Sequence, residues 1–384
     1  MGCLFTGPLQ KTSGPHRAPA SSTYSTTGGS QNPFGLYNSM DQSNDSNNQS
    51  AQLKFFSFSE FIQQSENPTI FEWSFQKEIG KGAMSRVFMS THTETGIKCA
   101  AKVYNKTLLM RQTLGNEEQP IVAVNREIEI MVSLAHRYIL PIVEVIEDEC
   151  TNSLIMLLPF APEGTLQSFI DKSFPSEQTF KICFFQLAEA FRYTHSMNIV
   201  HRDLKPDNIL VFSDTLFKLS DFSVSTKVES DDEKLADTRG SPAFLSPEEC
   251  AGNPFYPKPA DVWAYGVTMF GCVYGFLPFS LDKGQGKSVA NTVFAVTQLL
   301  NSEELFVPED RGYSPHLAEL LKQILQKDPE KRPTFEEIVK SPWFEGTEEI
   351  DRQYIEEFEQ NYANFEEEEE EGEELQDGAA AQAT

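Results

Sequence analysis

Short apolar runs with strand-like composition open the patterned part of the chain. Residues 71–79, 86–92 and 98–104 are separated by Gly80-Lys81-Gly82 and by Thr95-Gly96, which predicts an antiparallel meander. A helical spacing follows over residues 122–134, then two more strands over 142–148 and 153–159. After Gly164 the period lengthens. Residues 166–172 and 177–195 read as helices, the second with Phe184, Leu187, Ala188 and Phe191 along one stripe. The expected fold class is therefore α+β and bilobal, a small β-rich lobe preceding a larger helical one. Residues 1–52 are rich in Ser, Thr, Asn, Gln, Gly and Pro and are expected to be disordered, because so little apolar surface cannot offset the entropy of ordering. A short aromatic cluster from Phe55 to Phe61 is expected to dock on the domain that follows.

One apolar run changes the picture. Residues 262–281 carry no charge, a length that could cross a bilayer, but Gly266, Gly271, Gly275 and Pro278 interrupt it and favour a buried helix ending in a turn. Composition is acidic: 384 residues hold 57 Asp and Glu against 31 Lys and Arg, a net charge of −26, which argues against a nucleic-acid partner. Residues 345–384 carry −15 of it, with Arg352 the lone base and 366–371 all glutamate. Six scattered cysteines without a CxxC pair or a His cluster point to a reducing compartment, hence the cytoplasm, and to no zinc site.

Chemistry enters with the polar motifs. Gly80-Lys81-Gly82-Ala83-Met84-Ser85-Arg86-Val87 is a glycine-rich turn whose backbone N–H groups could approach a phosphate, although alone it also fits an ordinary hairpin. Cys99-Ala100-Ala101-Lys102 sets a lysine in an apolar strand, where an ammonium needs an anion; Glu127 on the next helix is the candidate. His201-Arg202-Asp203-Leu204-Lys205-Pro206-Asp207-Asn208, followed by Asp221-Phe222-Ser223, gathers a carboxylate base, a lysine, an amide and a second carboxylate. Phosphoryl transfer needs these parts because it is mostly positioning and charge neutralisation.

With these motifs in this order the sequence resembles the eukaryotic protein kinase family over residues 71–344. The resemblance implies an enzyme using ATP and Mg²⁺. It makes Lys102 the residue that holds the ATP phosphates and Glu127 its ion-pair partner. Asp203 becomes the base that accepts the substrate hydroxyl proton, Lys205 the group that steadies the transferring phosphoryl, and Asn208 and Asp221 the Mg²⁺ ligands. Gly80, Gly82, Val87, Ala100, Leu158, Phe160 and Leu210 would surround the nucleotide, with Leu158 as gatekeeper and residues 159–161 as hinge. Glu248 should pair with Arg332. Two positions depart from the pattern: Ser85 replaces the third glycine of the turn, and Ser223 replaces the glycine after Asp221-Phe222. Ser223 is the support for an alternative reading as a pseudokinase scaffold.

Residues 221–225, 237–244 and 258–268 look most like the calcium/calmodulin-dependent protein kinase kinases and related upstream kinases of the AMP-activated kinase group. That implies activation-loop threonines of other Ser/Thr kinases as substrates; a kinase of general calmodulin-dependent type with other protein substrates shares the same motifs. Calmodulin control needs a basic amphipathic helix after the domain, and the acidic residues there argue against it. Arg202 beside Asp203 calls for an anion from the loop. One of Glu229, Asp231, Asp232, Glu233 and Asp237 could supply it, these acids could be merely solvated, or Thr238 could be phosphorylated. Finally, Met1-Gly2-Cys3-Leu4-Phe5-Thr6 fits N-myristoylation at Gly2 with palmitoylation at Cys3, which would hold the protein at the cytoplasmic face of a membrane.

Overall fold

The computed structural model describes residues 58–63, 68–111, 118–279, 297, 305–308 and 312–353. Gly2, Cys3, the rest of 1–52 and the glutamate run at 366–371 lie outside the described residues. The first lobe begins with helix α1 (Phe58–Gln63) and strands β1 (Thr69–Ile70), β2 (Trp73–Lys81), β3 (Ser85–His92) and β4 (Lys98–Asn105). A short turn α2 (Lys106–Leu109) and helix α3 (Pro120–Ser133) precede β5 (Glu144–Asp148) and β6 (Ser153–Pro159). The sheet order is β1-β2-β3-β4-β6-β5 with antiparallel neighbours throughout, which is the expected meander extended by a hairpin. The first long strand starts at Trp73 instead of residue 71, because exposed Phe71 turns the chain with φ +51°. Helix α3 starts at Pro120, ahead of the expected start; proline suits a first turn, where its missing N–H forfeits no helical bond.

Register sorts the side chains. Strand residues alternate between faces, so Val87 opposite Lys102, Lys102 opposite Met156 and Ala100 opposite Leu158 share one face. The other face carries Phe88, Cys99, Ala101, Val103, Ile155 and Leu157 into a separate core with Phe75. Phe58 of α1 closes that core, its ring centroid 5.2 Å from Phe75 and 5.1 Å from Phe88, while Arg86 Nη1 donates to Ser59 Oγ at 2.9 Å. The docking expected of the aromatic cluster is present in its described part.

The second lobe contains β7 (Gly164–Thr165), α4 (Leu166–Lys172), α5 (Glu177–Ser196), β8 (Ile199–Val200), β9 (Ile209–Ser213), β10 (Leu216–Leu219) and β11 (Thr226–Lys227). After these come α6 (Pro247–Cys250), α7 (Pro257–Tyr274), α8 (Pro315–Ile324) and α9 (Phe335–Ile338). The uncharged run is the body of α7. Trp263, Tyr265 and Phe270 are buried, Tyr265 Oη donates to the Phe184 carbonyl at 2.7 Å, and the helix stops at Gly275 with φ +80°. Among the described residues no helix is long and apolar enough to cross a membrane. Packed structure continues past residue 344: residues 347–353 are helical, and Asp351 is buried, accepting from Gln186 Nε2 at 2.6 Å and from Tyr138 Oη.

Candidate active site

Lys102 projects from β4 on the face shared with Val87 and Ala100. Its Nζ donates to Glu127 Oε1 at 2.7 Å and to Asp221 Oδ1 at 3.3 Å, and Tyr104 Oη donates to Glu127 Oε2 at 3.1 Å. Burial alone would lower the Lys102 pKa, but the Glu127 and Asp221 carboxylates outweigh it and hold the ammonium well above its usual range. Glu127 is itself 2% exposed, so this is a buried pair with its remaining acceptor satisfied by a tyrosine.

The loop after β8 is organised from α7. The backbone N–H groups of His201 and Arg202 donate to Asp261 at 2.9 and 2.8 Å, and His195 Nε2 lies 3.0 Å from the same carboxylate. Burial would raise Asp261; His195, His201 and the Arg202 amide together keep it below the ordinary carboxylate range. This clamp holds Arg202, a non-glycine residue in the left-handed region at φ +70°; Asp221 is another such residue, at φ +61°.

Asp203 is held from three sides. Its Oδ1 accepts from Ser241 N at 2.7 Å, and its Oδ2 accepts from Lys205 Nζ at 2.7 Å and Asn208 Nδ2 at 3.1 Å. Lys205 Nζ also donates to Ser241 Oγ at 2.9 Å. A carboxylate so fixed can take a proton from an incoming hydroxyl, with an ammonium alongside to meet developing charge. Asn208 Nδ2 donates a second bond, 2.7 Å to the Asp203 carbonyl, which commits the amide nitrogen and leaves the amide oxygen as its acceptor. Asn208 and Asp221 thus offer oxygen donors of the kind Mg²⁺ prefers. Among the described residues no cluster of three His, Cys, Asp or Glu side chains could hold a metal, so an ion bound here would complete its shell with phosphate and water oxygens.

The remaining sequence-predicted residues divide between cleft walls. Val87, Ala100 and Leu158 line the Lys102 face of the sheet; Leu210 lies on β9 opposite Thr165; Phe160 N donates to the Lys98 carbonyl at 3.4 Å at the link between lobes. Gly80 pairs with Val87 at the mouth of the turn. Gly82 N donates to the Ser85 carbonyl at 2.9 Å, and a Cβ on Gly82 would stand 2.8 Å from Ser85 Oγ. Buried Ser85 therefore uses space that Gly82 leaves empty. Ser223 does not need glycine's freedom, since its backbone lies outside the left-handed region, and its side chain helps to lower the Asp221 carboxyl pKa. Burial would raise the Asp221 carboxyl; Lys102, the Ser223 side chain and His201 lower it on balance.

Farther out, Arg332 makes the expected fork to Glu248, with contacts of 2.5 and 2.7 Å, beneath the segment that carries Ser241. Two supporting residues were missed by the sequence reading, Tyr104 and Asp261. Only Asp261 carried a hint, as the charge that opens a long uncharged run.

The protein kinase domain model matches residues 73–344. Serine/threonine-protein kinase GRIK1 of Arabidopsis thaliana is 31% identical over 290 residues, covering 73% of this chain and 68% of that protein. Serine/threonine-protein kinase GRIK2 of the same plant is 31% identical, covering 72% and 66%. Maternal embryonic leucine zipper kinase of Xenopus tropicalis is 32% identical over 273 residues, 71% of this chain and 39% of that protein. With the two-lobed α+β fold, the Lys102–Glu127 pair and the Asp203 cluster between the lobes, the chain belongs to the protein kinase family and is an ATP-dependent serine/threonine kinase.

Proposed function

We propose that this kinase phosphorylates activation-loop threonines of other serine/threonine kinases, working at the cytoplasmic face of a membrane through lipid on Gly2 and Cys3. In this reading Asp203 accepts the hydroxyl proton and Lys205 neutralises charge on the transferring phosphoryl. Lys102, braced by Glu127, orients the ATP phosphates; Asn208 and Asp221 hold Mg²⁺, which supplies charge neutralisation when bound. Gly80, Gly82, Val87, Ala100, Leu158, Phe160 and Leu210 enclose the nucleotide.

The observation that carries the substrate reading is the sequence of the activation segment, residues 221–225 and 237–244, which resembles the calcium/calmodulin-dependent protein kinase kinases. The test is radiolabel transfer by the full chain to an inactive kinase domain bearing an AMP-activated-kinase-type loop, beside a generic basic peptide. Preference for the kinase domain is expected; preference for the peptide would favour a general calmodulin-dependent type. Lys102→Met should lower either transfer by about 10²-fold or more. For the membrane reading, Gly2→Ala should move the protein from the membrane to the soluble fraction, and unchanged fractionation would end it.

A further inference from the structure

The activation segment is pinned along its length. Lys258 pairs with Asp231 and donates to Asn198 Oδ1 at 2.8 Å; Leu235 and Phe255 exchange backbone bonds of 3.0 and 2.9 Å; Thr238 Oγ1 donates to the Glu249 carbonyl at 3.3 Å. Between these points lies the Arg202 side chain, 4% exposed, next in sequence to Asp203. Its Nη2 donates to Asp237 Oδ1 at 3.1 Å and to the Asp237 carbonyl at 2.5 Å, and its Nη1 reaches Asp237 Oδ2 at 3.4 Å. Its Nε is buried without a partner. Among the described residues Asp237 is the carboxylate that pairs with this guanidinium. Of the five loop acids, Asp231 is spent on Lys258 and Glu233 accepts from Glu229 N.

Asp237 is also one rung of a ladder. Its Oδ2 accepts from Arg239 Nε at 2.6 Å, Arg239 Nη1 lies 4.0 Å from Glu118, and Glu118 pairs with Arg126. Arg126 adjoins Glu127 on α3, the partner of Lys102. Alternating charges thus run from the catalytic loop through the activation segment to the helix that sets the lysine.

Just beyond the ladder the backbone leaves no slack. Gly240 has φ +100°, and a Cβ there would stand 2.3 Å from the Arg202 carbonyl, so the chain carrying Ser241 N to Asp203 is pressed against the loop that Arg202 begins. Asp237, Gly240 and Ser241 thus follow one another along the catalytic loop: the first is held by the Arg202 side chain, the second packs on the Arg202 carbonyl, and the third bonds Asp203.

We propose that Asp237 is a positioning residue that supplies from the sequence the anion Arg202 requires, so that the kinase is competent with no phosphate on its activation loop. Arg239 and Glu118 extend the same lock to α3. The proposal concerns this chain's own phosphoryl transfer and is independent of which protein is the physiological substrate.

The test uses the full chain with Mg²⁺-ATP and dephosphorylated casein. Wild type stripped by a broad Ser/Thr/Tyr phosphatase, with loss of phosphate verified by intact mass, should keep its rate. Asp237→Asn, which retains an acceptor but no charge, should lose about tenfold or more in kcat while KM for ATP changes less than about threefold, and Asp237→Glu should recover most of the loss. Thermal melts accompany each variant. A large drop on dephosphorylation of wild type overturns the proposal whether or not the variants fold. So does a folded Asp237→Asn protein of near-normal kcat. Loss of casein transfer in Asp203→Asn confirms separately that the rate being read is this kinase's own.

Discussion

Glu249 is 6% exposed, and its Oε2 accepts from both the backbone N–H and the hydroxyl of Ser246 at 2.9 Å. Burial nonetheless pushes its carboxyl up to about 7, the Ser246 bonds offsetting only part of the effect. The unfolded chain releases this proton at ordinary carboxylate pH while the folded chain still holds it. Stability is therefore full below the unfolded pKa and declines as pH rises toward 7, by an amount on the order of 3 kcal/mol. Glu249→Gln should flatten that slope. Denaturant midpoints taken at about pH 5 and about pH 8 should fall for wild type and stay closer together for the variant; parallel slopes would refute the assignment. Glu249 also shows where single-residue reading stops. Lys102, Asp203, Asn208 and Asp221 could be singled out because their chemical types suit phosphoryl transfer and their motifs, in this order, resemble the protein kinase family. Tyr104, Asp261 and Glu249 act through burial and through partners distant in sequence, which spacing alone does not reveal.

Elements were legible wherever one periodicity served one environment. The strands of the first lobe alternate because each separates a core from the nucleotide cleft, and α7 reads as continuous apolar sequence because it is enclosed on every side. Ends were less legible, since turns obey local geometry: Phe71 leaves the strand pattern through a positive φ, and Pro120 starts α3 ahead of its apolar stripe. Helix α1 is the informative case. Its six residues could not persist alone, so docking of Phe58 against Phe75 and Phe88 must supply its stability. Phe58→Ala should cost about 3 kcal/mol if α1 stays in place, and less if it detaches, because the docking energy caps the loss. A melting temperature unchanged from wild type would show that α1 contributes nothing to the lobe.

At the scale of the whole molecule, the net charge of −26 conceals a division of labour. The acid excess begins inside packed structure: Asp351 is buried against Tyr138 and Gln186, and burial raises its carboxyl pKa despite those bonds. Ending the chain at Phe344 would strip partners from two buried polar groups and should lower stability by about 1–3 kcal/mol relative to a chain ending at Gln353, which keeps Asp351 and its bonds. Equal melts for the two truncations would contradict a structural role for Asp351. The two-lobed fold was legible from the change of period after Gly164, and motifs crossing both lobes singled out the residues that the fold brings together around Lys102 and Asp203. The extent of packing past residue 344 was not, because an acidic composition masks Asp351, the buried carboxylate among the described residues of that segment.

The central claim is that phosphoryl transfer runs through the carboxylate held by Ser241, Lys205 and Asn208. Its most direct test is transfer of radiolabelled γ-phosphate from Mg²⁺-ATP to protein by wild type and by Asp203→Asn, each with a matched thermal melt. The account predicts robust transfer by wild type and a loss of about 10²-fold or more in the equally folded variant. Comparable rates from the two proteins would contradict it.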